Sequence, residues 1–219
     1  AFAITEEAIE DNLYDRIASR YTKALARSMS NAKQVKAVTP LNNGLSSIAT
    51  FNAGDGVSLF STNHTTVSGT AVKNTLTTQA DLNETSLEQA LIDIAGMTDE
   101  RGLRVAARGT KMIIPSANQF NAERLTKSQG RTGTADNDIN ASVSMGMIPQ
   151  GYRVNNYLTD TDSWYIITDV PNGMKMFQRA ALKTAMEGDF DTGNVRYKAR
   201  ERYVFGVSDP RGIFGVEGA

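Results

Sequence analysis

From Thr5 to about Lys33 the apolar positions fall on every fourth residue: Ile9, Leu13, Ile17, Tyr21, Leu25 and Met29, with Ala18 and Ala24 beside them. This spacing predicts a helix carrying one apolar stripe that drifts slowly around its surface. Thr5 is placed as its N-cap, because a hydroxyl there can accept from a free first-turn amide. The charges are sorted by sign. Glu6, Glu7, Glu10, Asp11 and Asp15 come first, and Arg16, Arg20, Lys23, Arg27, Lys33 and Lys36 follow, an order that favours the helix dipole at both ends. Gly and Pro are absent until Pro40 and Gly44. At 1.5 Å per residue the helix is roughly 40 Å long, beyond the usual globular length. The four-residue repeat is not a heptad, which argues against a coiled coil and for a long sheet lying along the helix.

Near the other end, Val195 to Val207 alternates with period two. Arg196, Lys198, Arg200 and Arg202 point one way; Val195, Tyr197, Ala199, Tyr203 and Phe205 point the other, with Glu201 among them. At about 3.3 Å per residue this strand also reaches roughly 40 Å. The matched lengths pair chain start with chain end, leaving a helix–strand region inserted between them. The expected class is α+β.

The inserted region reads as shorter elements. Gly54 to His64 is a turn, a short strand and another turn, and Thr65 to Leu82 an extended, exposed loop. Residues 85–100 form a second helix, with Thr85 and Glu88 at capping-box spacing, Leu87, Leu91 and Ile94 on one face, and Gly102 after it. Lys111 to Pro115 is a buried strand. Ser116 and Gln119 open a third helix reaching about Lys127, with Phe120 and Leu125 inward. Gln129 to Asn140 is a polar loop. Tyr152–Leu158, Trp164–Val170 and Met174–Arg179 are predicted as adjacent antiparallel strands, separated by turns at Thr159–Asp162 and Pro171–Gly173.

Composition narrows the chemistry. The 219 residues are 40% hydrophobic and 21% charged, with a formal net charge of −1; this is ordinary globular usage, with no whole-chain attraction for polyanions. There is no cysteine and one histidine, which excludes disulfides, thiolate catalysis and multi-histidine metal sites. No apolar run is long enough to span a membrane, and the first residues carry no signal-peptide pattern. The chain starts without Met and almost directly on the long helix, so the natural protein is expected to be longer.

Candidate catalytic groups are few. His64 lies in Ser-Thr-Asn-His-Thr-Thr without a partner set for a triad, and reads as structural. Asp160 with Asp162 and Asp136 with Asp138 could face a hard cation, but lack a calcium loop's distal Glu and read as turn formers. Gly54-Asp-Gly56 lacks a phosphate-loop Lys. The basic strand face is the feature of most interest. Set against the acidic helix start, it predicts a subunit contact joining Glu6, Glu7, Glu10 and Asp11 to Arg196, Lys198, Arg200 and Arg202, within or between copies. No catalytic residue, metal ligand or cofactor site is expected, and the chain is not read as an enzyme.

Four stretches, in order, carry a family resemblance: Ile4–Asp15, Gly54–His64 (Gly-Asp-Gly-Val-Ser-Leu-Phe-Ser-Thr-Asn-His), Asp160–Asp169 and Arg200–Gly215. Together they resemble the major capsid proteins of tailed bacteriophages, a fold that encapsulin shells share, and in particular the Mu-like major head subunit subgroup. The resemblance implies a P domain of residues 1–48 (spine helix) and 190–219 (long strand return), with the spine helix packed on long antiparallel strands. It also implies an A domain of mixed helix and sheet with its connecting loop, residues 49–189, at the centre of pentamers and hexamers. The Gln129–Asn140 loop would crowd the capsomer axis. The family's amino-terminal arm and E-loop, expected before the spine helix, do not precede it here.

The function so implied is a viral head subunit that assembles with itself into an icosahedral shell around double-stranded DNA. Scaffolding, portal and cement proteins are implied as further partners, no membrane is, and assembly would take place in the host bacterial cytoplasm. An encapsulin-like compartment holding cargo enzyme is the alternative. A hydrolase built on Asp160 and Asp162 is the third reading.

Overall fold

The computed structural model describes residues 1–11, 14–46, 52–131 and 138–219, the side chains of 14–17 aside. The described chain divides into two compact units, Ala1–Ala37 with Met176–Phe205 and Val38–Lys175 with Gly206–Ala219.

The first unit is a helix and a sheet. Strand β1 (Phe2–Ile4) leads through Thr5 into a short helix, α1 (Glu6–Glu10), and the long helix α2 (Tyr14–Asn42) continues to Ala37 within this unit. Strands β7 (Met174–Gly188) and β8 (Val195–Val207) form a long hairpin, and the sheet order is β1-β8-β7. Phe2 pairs with Tyr197 and Ile4 with Val195 in antiparallel register. The helix side of β8 is half-covered and the other side exposed, residue by residue, as the alternation requires.

The expected single helix from Thr5 is therefore redrawn. Thr5 occupies the N-cap position without a side-chain cap bond, and α1 ends at Asp11. Residues 12 and 13, with Leu13 of the apolar repeat, lie outside the described residues, as do the side chains of Asp15, Arg16 and Ile17. The far end runs well past Lys33, through Pro40, to Asn42. Proline removes one backbone donor there. The last turn is held instead by the burial of Val38 and Leu41, and by Asn43, whose backbone and side chain both donate to the Thr39 carbonyl. The Ile9, Tyr21 and Leu25 positions are exposed or only half-covered.

The second unit is built on a four-stranded sheet of β4 (Gly109–Ile114), β5 (Tyr152–Val154), β6 (Trp164–Thr168) and β9 (Ile213–Val216), in the order β5-β4-β6-β9. Helices α3 (Glu84–Ala95), α4 (Gln119–Lys127) and α5 (Ala141–Ser144) and a small hairpin, β2 (His64–Thr65) with β3 (Ala71–Val72), complete it. Strand β6 is buried on both faces. Trp164 and Ile166 pack into one core with Leu87, Leu91, Ile94, Met112 and Phe214. Tyr165 faces a second core with Val38, Leu41, Leu59, Phe60 and Ile213.

Several expectations are corrected here. The strands after Pro149 are not sequential neighbours: β4 lies between β5 and β6, pairing parallel with the first and antiparallel with the second. Its Met112 and Ile114 are fully buried, and a strand buried in this way belongs in the sheet interior. Strand β7 leaves this sheet and runs to Gly188 rather than stopping at Arg179. The α3 cap is Asn83 with Ser86, ahead of Thr85 and Glu88, because the Asn83 amide oxygen accepts from Ser86 N at 2.9 Å and Ser86 Oγ accepts from Asn83 N at 3.0 Å. Helix α3 closes at Gly96, and Gly102 instead serves a turn at φ +85°. Phe120 points outward, because the buried stripe of α4 is Ala122 and Leu125. The stretch Thr65–Leu82 is no exposed loop: Val72, Asn74, Thr75, Leu76 and Leu82 are all buried.

Candidate assembly surface

The sheet of the first unit presents two different faces. On the helix side, Glu201 interrupts an otherwise apolar row, and Lys33 of α2 meets it at 2.5 Å. The Glu201 side chain is only 6% exposed. The Lys33 ammonium also sits 5.1 Å from the Tyr203 ring centre, a cation–π distance, and Gln178 of β7 donates to Glu201 at 3.4 Å. Toward the amino end, Phe2 stacks on Tyr197 at 4.8 Å and lies 5.5 Å from Tyr21. Thus the stripe of α2 is met by aromatic rings at one end and by an ion pair further along.

The other face is basic. Arg196, Lys198, Arg200 and Arg202 are all exposed. Two of them are answered within the hairpin: Arg196 pairs with Asp189, and Lys198 lies 3.7 Å from Glu187. Arg200 and Arg202 have no ion-pair partner among the described residues. Gln178 reaches the helix-side Glu201, whereas Glu187 reaches the outward Lys198. Odd-numbered β7 residues therefore share the outer face, which adds Arg179 and Lys183 to it, both exposed.

The acidic residues of the helix start gather near the hairpin tip. Glu6, Glu7, Glu10 and Asp11 are exposed, with no ion-pair partner among the described residues. The Glu6 carboxylate lies against Gly193 in the tip. Gly193 has two reasons to be glycine: its φ is +68°, and a Cβ there would collide with Glu6. The tip is tied by Asp189, whose backbone N–H donates to Asn194 O and whose carbonyl accepts from Gly193 N. Within one chain the acidic start thus sits beside the tip, and Arg196 and Lys198 take their partners from the turn and β7.

Apolar side chains are exposed along this unit as well. Met176, Phe177, Leu182 and Met186 on β7, Val204 on β8 and Phe190 in the tip are all exposed, Phe190 fully. Ile4 is the one buried hydrophobic residue among the unit's described residues.

The catalytic candidates resolve into structural roles. His64 is buried, with Nδ1 2.7 Å from Asp55 Oδ2 and Nε2 3.1 Å from Asn74 Oδ1. Asn74, fully buried, donates through Nδ2 to the carbonyls of Leu59 and Pro210 and accepts from Ser61 N. This Asn74 junction, which joins three loops, was missed from sequence because an asparagine among turn residues carries no burial signal. Asp160 and Asp162 form a turn, with Asp162 N donating to Asp160 Oδ1 at 3.4 Å. Burial first, then the neighbouring Asp162 and Glu217 carboxylates, push Asp160 up to about 6. Asp136, with the rest of residues 132–137, half of the Gln129–Asn140 loop, lies outside the described residues; the loop's stem is a bridge between Gly130 and Ile139. Among the described residues no three acidic or histidine side chains group as metal ligands, and no helix is long and apolar enough to cross a membrane.

Comparison with known proteins gives this arrangement a context. No curated protein matches the sequence. The fold is similar to that of a chain from Mycobacterium phage Che8 (TM-score 0.52, 16% identity, 98% of this chain and 67% of that one). It is similar also to the capsid of Myoviridae phage XM1 (TM-score 0.55, 13% identity, 100% and 71%). A phage-related protein from Bordetella bronchiseptica RB50 matches with TM-score 0.50 at 10% identity, over 91% of this chain and 64% of its own. A family model described as phage capsid protein matches residues 1–216. With the α+β fold of tailed-phage capsid subunits and that match along nearly its whole length, the chain belongs to the phage capsid protein family and is a major capsid protein.

Proposed function

We propose that this subunit closes with copies of itself into pentamers and hexamers of an icosahedral head that encloses double-stranded DNA. The observation that carries the proposal is the first unit. In it, residues 14–37 of α2 and the greater part of the β7–β8 hairpin are accompanied by exposed apolar side chains on β7, with Ile4 the one buried hydrophobic residue among the unit's described residues. Structure of that size without its own core is stabilised by burial against neighbours. In this reading α2 and β8 belong to a P domain of residues 1–48 and 190–219, and the helices of the second unit to an A domain of residues 49–189; β7 (Met174–Gly188) then falls on the A-domain side of the bound and β9 (Ile213–Val216) on the P-domain side. The Gln129–Asn140 loop would point to the capsomer axis.

Repeated contacts between unlike patches close into rings and then a shell. The eight charged residues Glu6, Glu7, Glu10, Asp11, Arg196, Lys198, Arg200 and Arg202 would set register more than affinity. Scaffolding, portal and cement proteins are further partners, and assembly takes place in the host bacterial cytoplasm. The role is structural rather than enzymatic.

Electron microscopy of the purified full gene product, and of particles from infected cells, tests this. Icosahedral shells, filled with DNA in the second case, are expected. Small shells holding protein would favour a cargo compartment. Discrete monomers or simple dimers would overturn the proposal.

A further inference from the structure

We infer that the outer face of the β7–β8 hairpin docks the acidic helix start of a second copy, and that Arg179, Lys183, Arg200 and Arg202, rather than Arg196 and Lys198, receive it. The inference rests on the shell reading and narrows its subunit contact to one patch and one occupant.

The argument begins with what is already paired. Arg196 is engaged by Asp189 and Lys198 by Glu187. Arg179, Lys183, Arg200 and Arg202 are exposed on the same face, with no ion-pair partner among the described residues. They leave a local cluster of positive charge on a chain whose formal net charge is −1. The same unit holds the complement. Glu7, Glu10 and Asp11 are exposed and equally unpaired among the described residues, and Glu6 lies at the hairpin tip against Gly193.

The two patches cannot neutralise each other within one chain. Chain start and β8 are in register with Ile4 opposite Val195, and Arg200 lies roughly 17 Å along the strand from Val195 at 3.3 Å per residue. That exceeds the Debye length of about 8 Å at physiological salt. Complementary patches at different places on one subunit make a heterologous contact, which propagates from copy to copy until it closes. A stiff strand with cations on alternate residues fits an acidic helical turn, and Val204 and Phe177, both exposed, offer apolar cover beside the charges.

Charge exchange in the full-length chain tests the inference. One variant carries Arg200→Glu and Arg202→Glu, the other Glu7→Lys and Glu10→Lys. All four positions are exposed, so circular dichroism and thermal melting are expected to match the parent. Each variant alone is expected to lose at least about tenfold of its assembled fraction, because like charges are brought together. A chain carrying all four changes restores opposite charges at every contact and is expected to recover assembly. Unimpaired assembly of the arginine variant would overturn the inference. So would a four-change chain that stays blocked, or arginine-variant shells that form normally but lose retained DNA, which would reassign the face to nucleic acid. If the unaltered chain forms no shells, the shell reading itself fails, and that outcome is distinct from all of these.

Discussion

Lys33 of α2 and Glu201 of β8 face each other at 2.5 Å, with the glutamate side chain only 6% exposed and the lysine 29%. The pair joins the spine helix to the middle of the long strand, where the alternation alone calls for an apolar residue. A buried carboxylate is tolerated when its charge is met and its remaining lone pairs have donors, and Gln178 supplies a second donor. Removing Lys33 leaves that charge uncompensated. Lys33→Ala is expected to lower stability by about 2–4 kcal/mol. Lys33→Ala combined with Glu201→Ala should cost less than Lys33→Ala alone, because no buried charge is stranded. Denaturant melts of the three variants measure this. Equal, additive losses would mean that the pair contributes nothing as a pair.

How far this was legible in sequence depends on the range of the forces involved. The long helix and the β8 alternation are local periodicities, and both were readable, as was the burial of Leu87, Leu91 and Ile94; the four-residue stripe was not a guide to burial, since Ile9 and Tyr21 are exposed and Leu25 only half-covered. Glu201 was visible as the exception in its row, and a lone acid on an apolar face is a signal to look for a buried cation. Nothing local named Lys33 among the many bases of the long helix. Sheet order was unreadable for the same reason: β4 enters between β5 and β6 through pairings between residues far apart in sequence. Pro40 misplaced the helix end, because the burial of Val38 and Leu41 outweighs one lost hydrogen bond. Of the proposed contact, the two charge patches were readable, but the neutralisation of Arg196 and Lys198 by the hairpin's own acids was not.

Gly215 packs directly against the Phe60 ring of the second core. A Cβ at that position would stand 2.6 Å from the Phe60 ring, and Phe60 is itself fully buried beside Tyr165 at 5.5 Å. Gly215→Ala is expected to push the ring and cost about 1–3 kcal/mol by overpacking. Adding Phe60→Leu should recover part of that loss. Thermal melts of the single and double variants check it, and a neutral Gly215→Ala would mean that the ring has room to move.

The His64 junction is expected to act on stability alone. His64→Ala removes one partner from the buried Asn74 and one from the more exposed Asp55, a loss of about 1–3 kcal/mol. Asn74→Ala removes the donor to both Leu59 O and Pro210 O and should cost at least as much. Chemical denaturation ranks the two. A milder effect for Asn74→Ala than for His64→Ala would contradict the assignment of Asn74 as the centre of the network.

Asp160 gives the second unit a pH dependence of definite sign. Its carboxyl is pushed up to about 6 from 3.8, first by burial and then by Asp162 and Glu217. The folded state therefore binds this proton more tightly than the unfolded state. The group's contribution is most favourable below the unfolded value of about 4, and it is lost as pH rises through about 6. Asp160→Asn keeps an acceptor for the Asp162 backbone but cannot ionise. Its melting temperature is expected to match the parent near pH 4, to exceed it progressively between pH 4 and 6, and to keep a constant advantage above pH 7. Paired melts across that range cancel the titration of groups distant from Asp160. An advantage largest at pH 4, or none at any pH, would show that the carboxyl ionises freely beside Asp162 and that the turn stores no electrostatic repulsion.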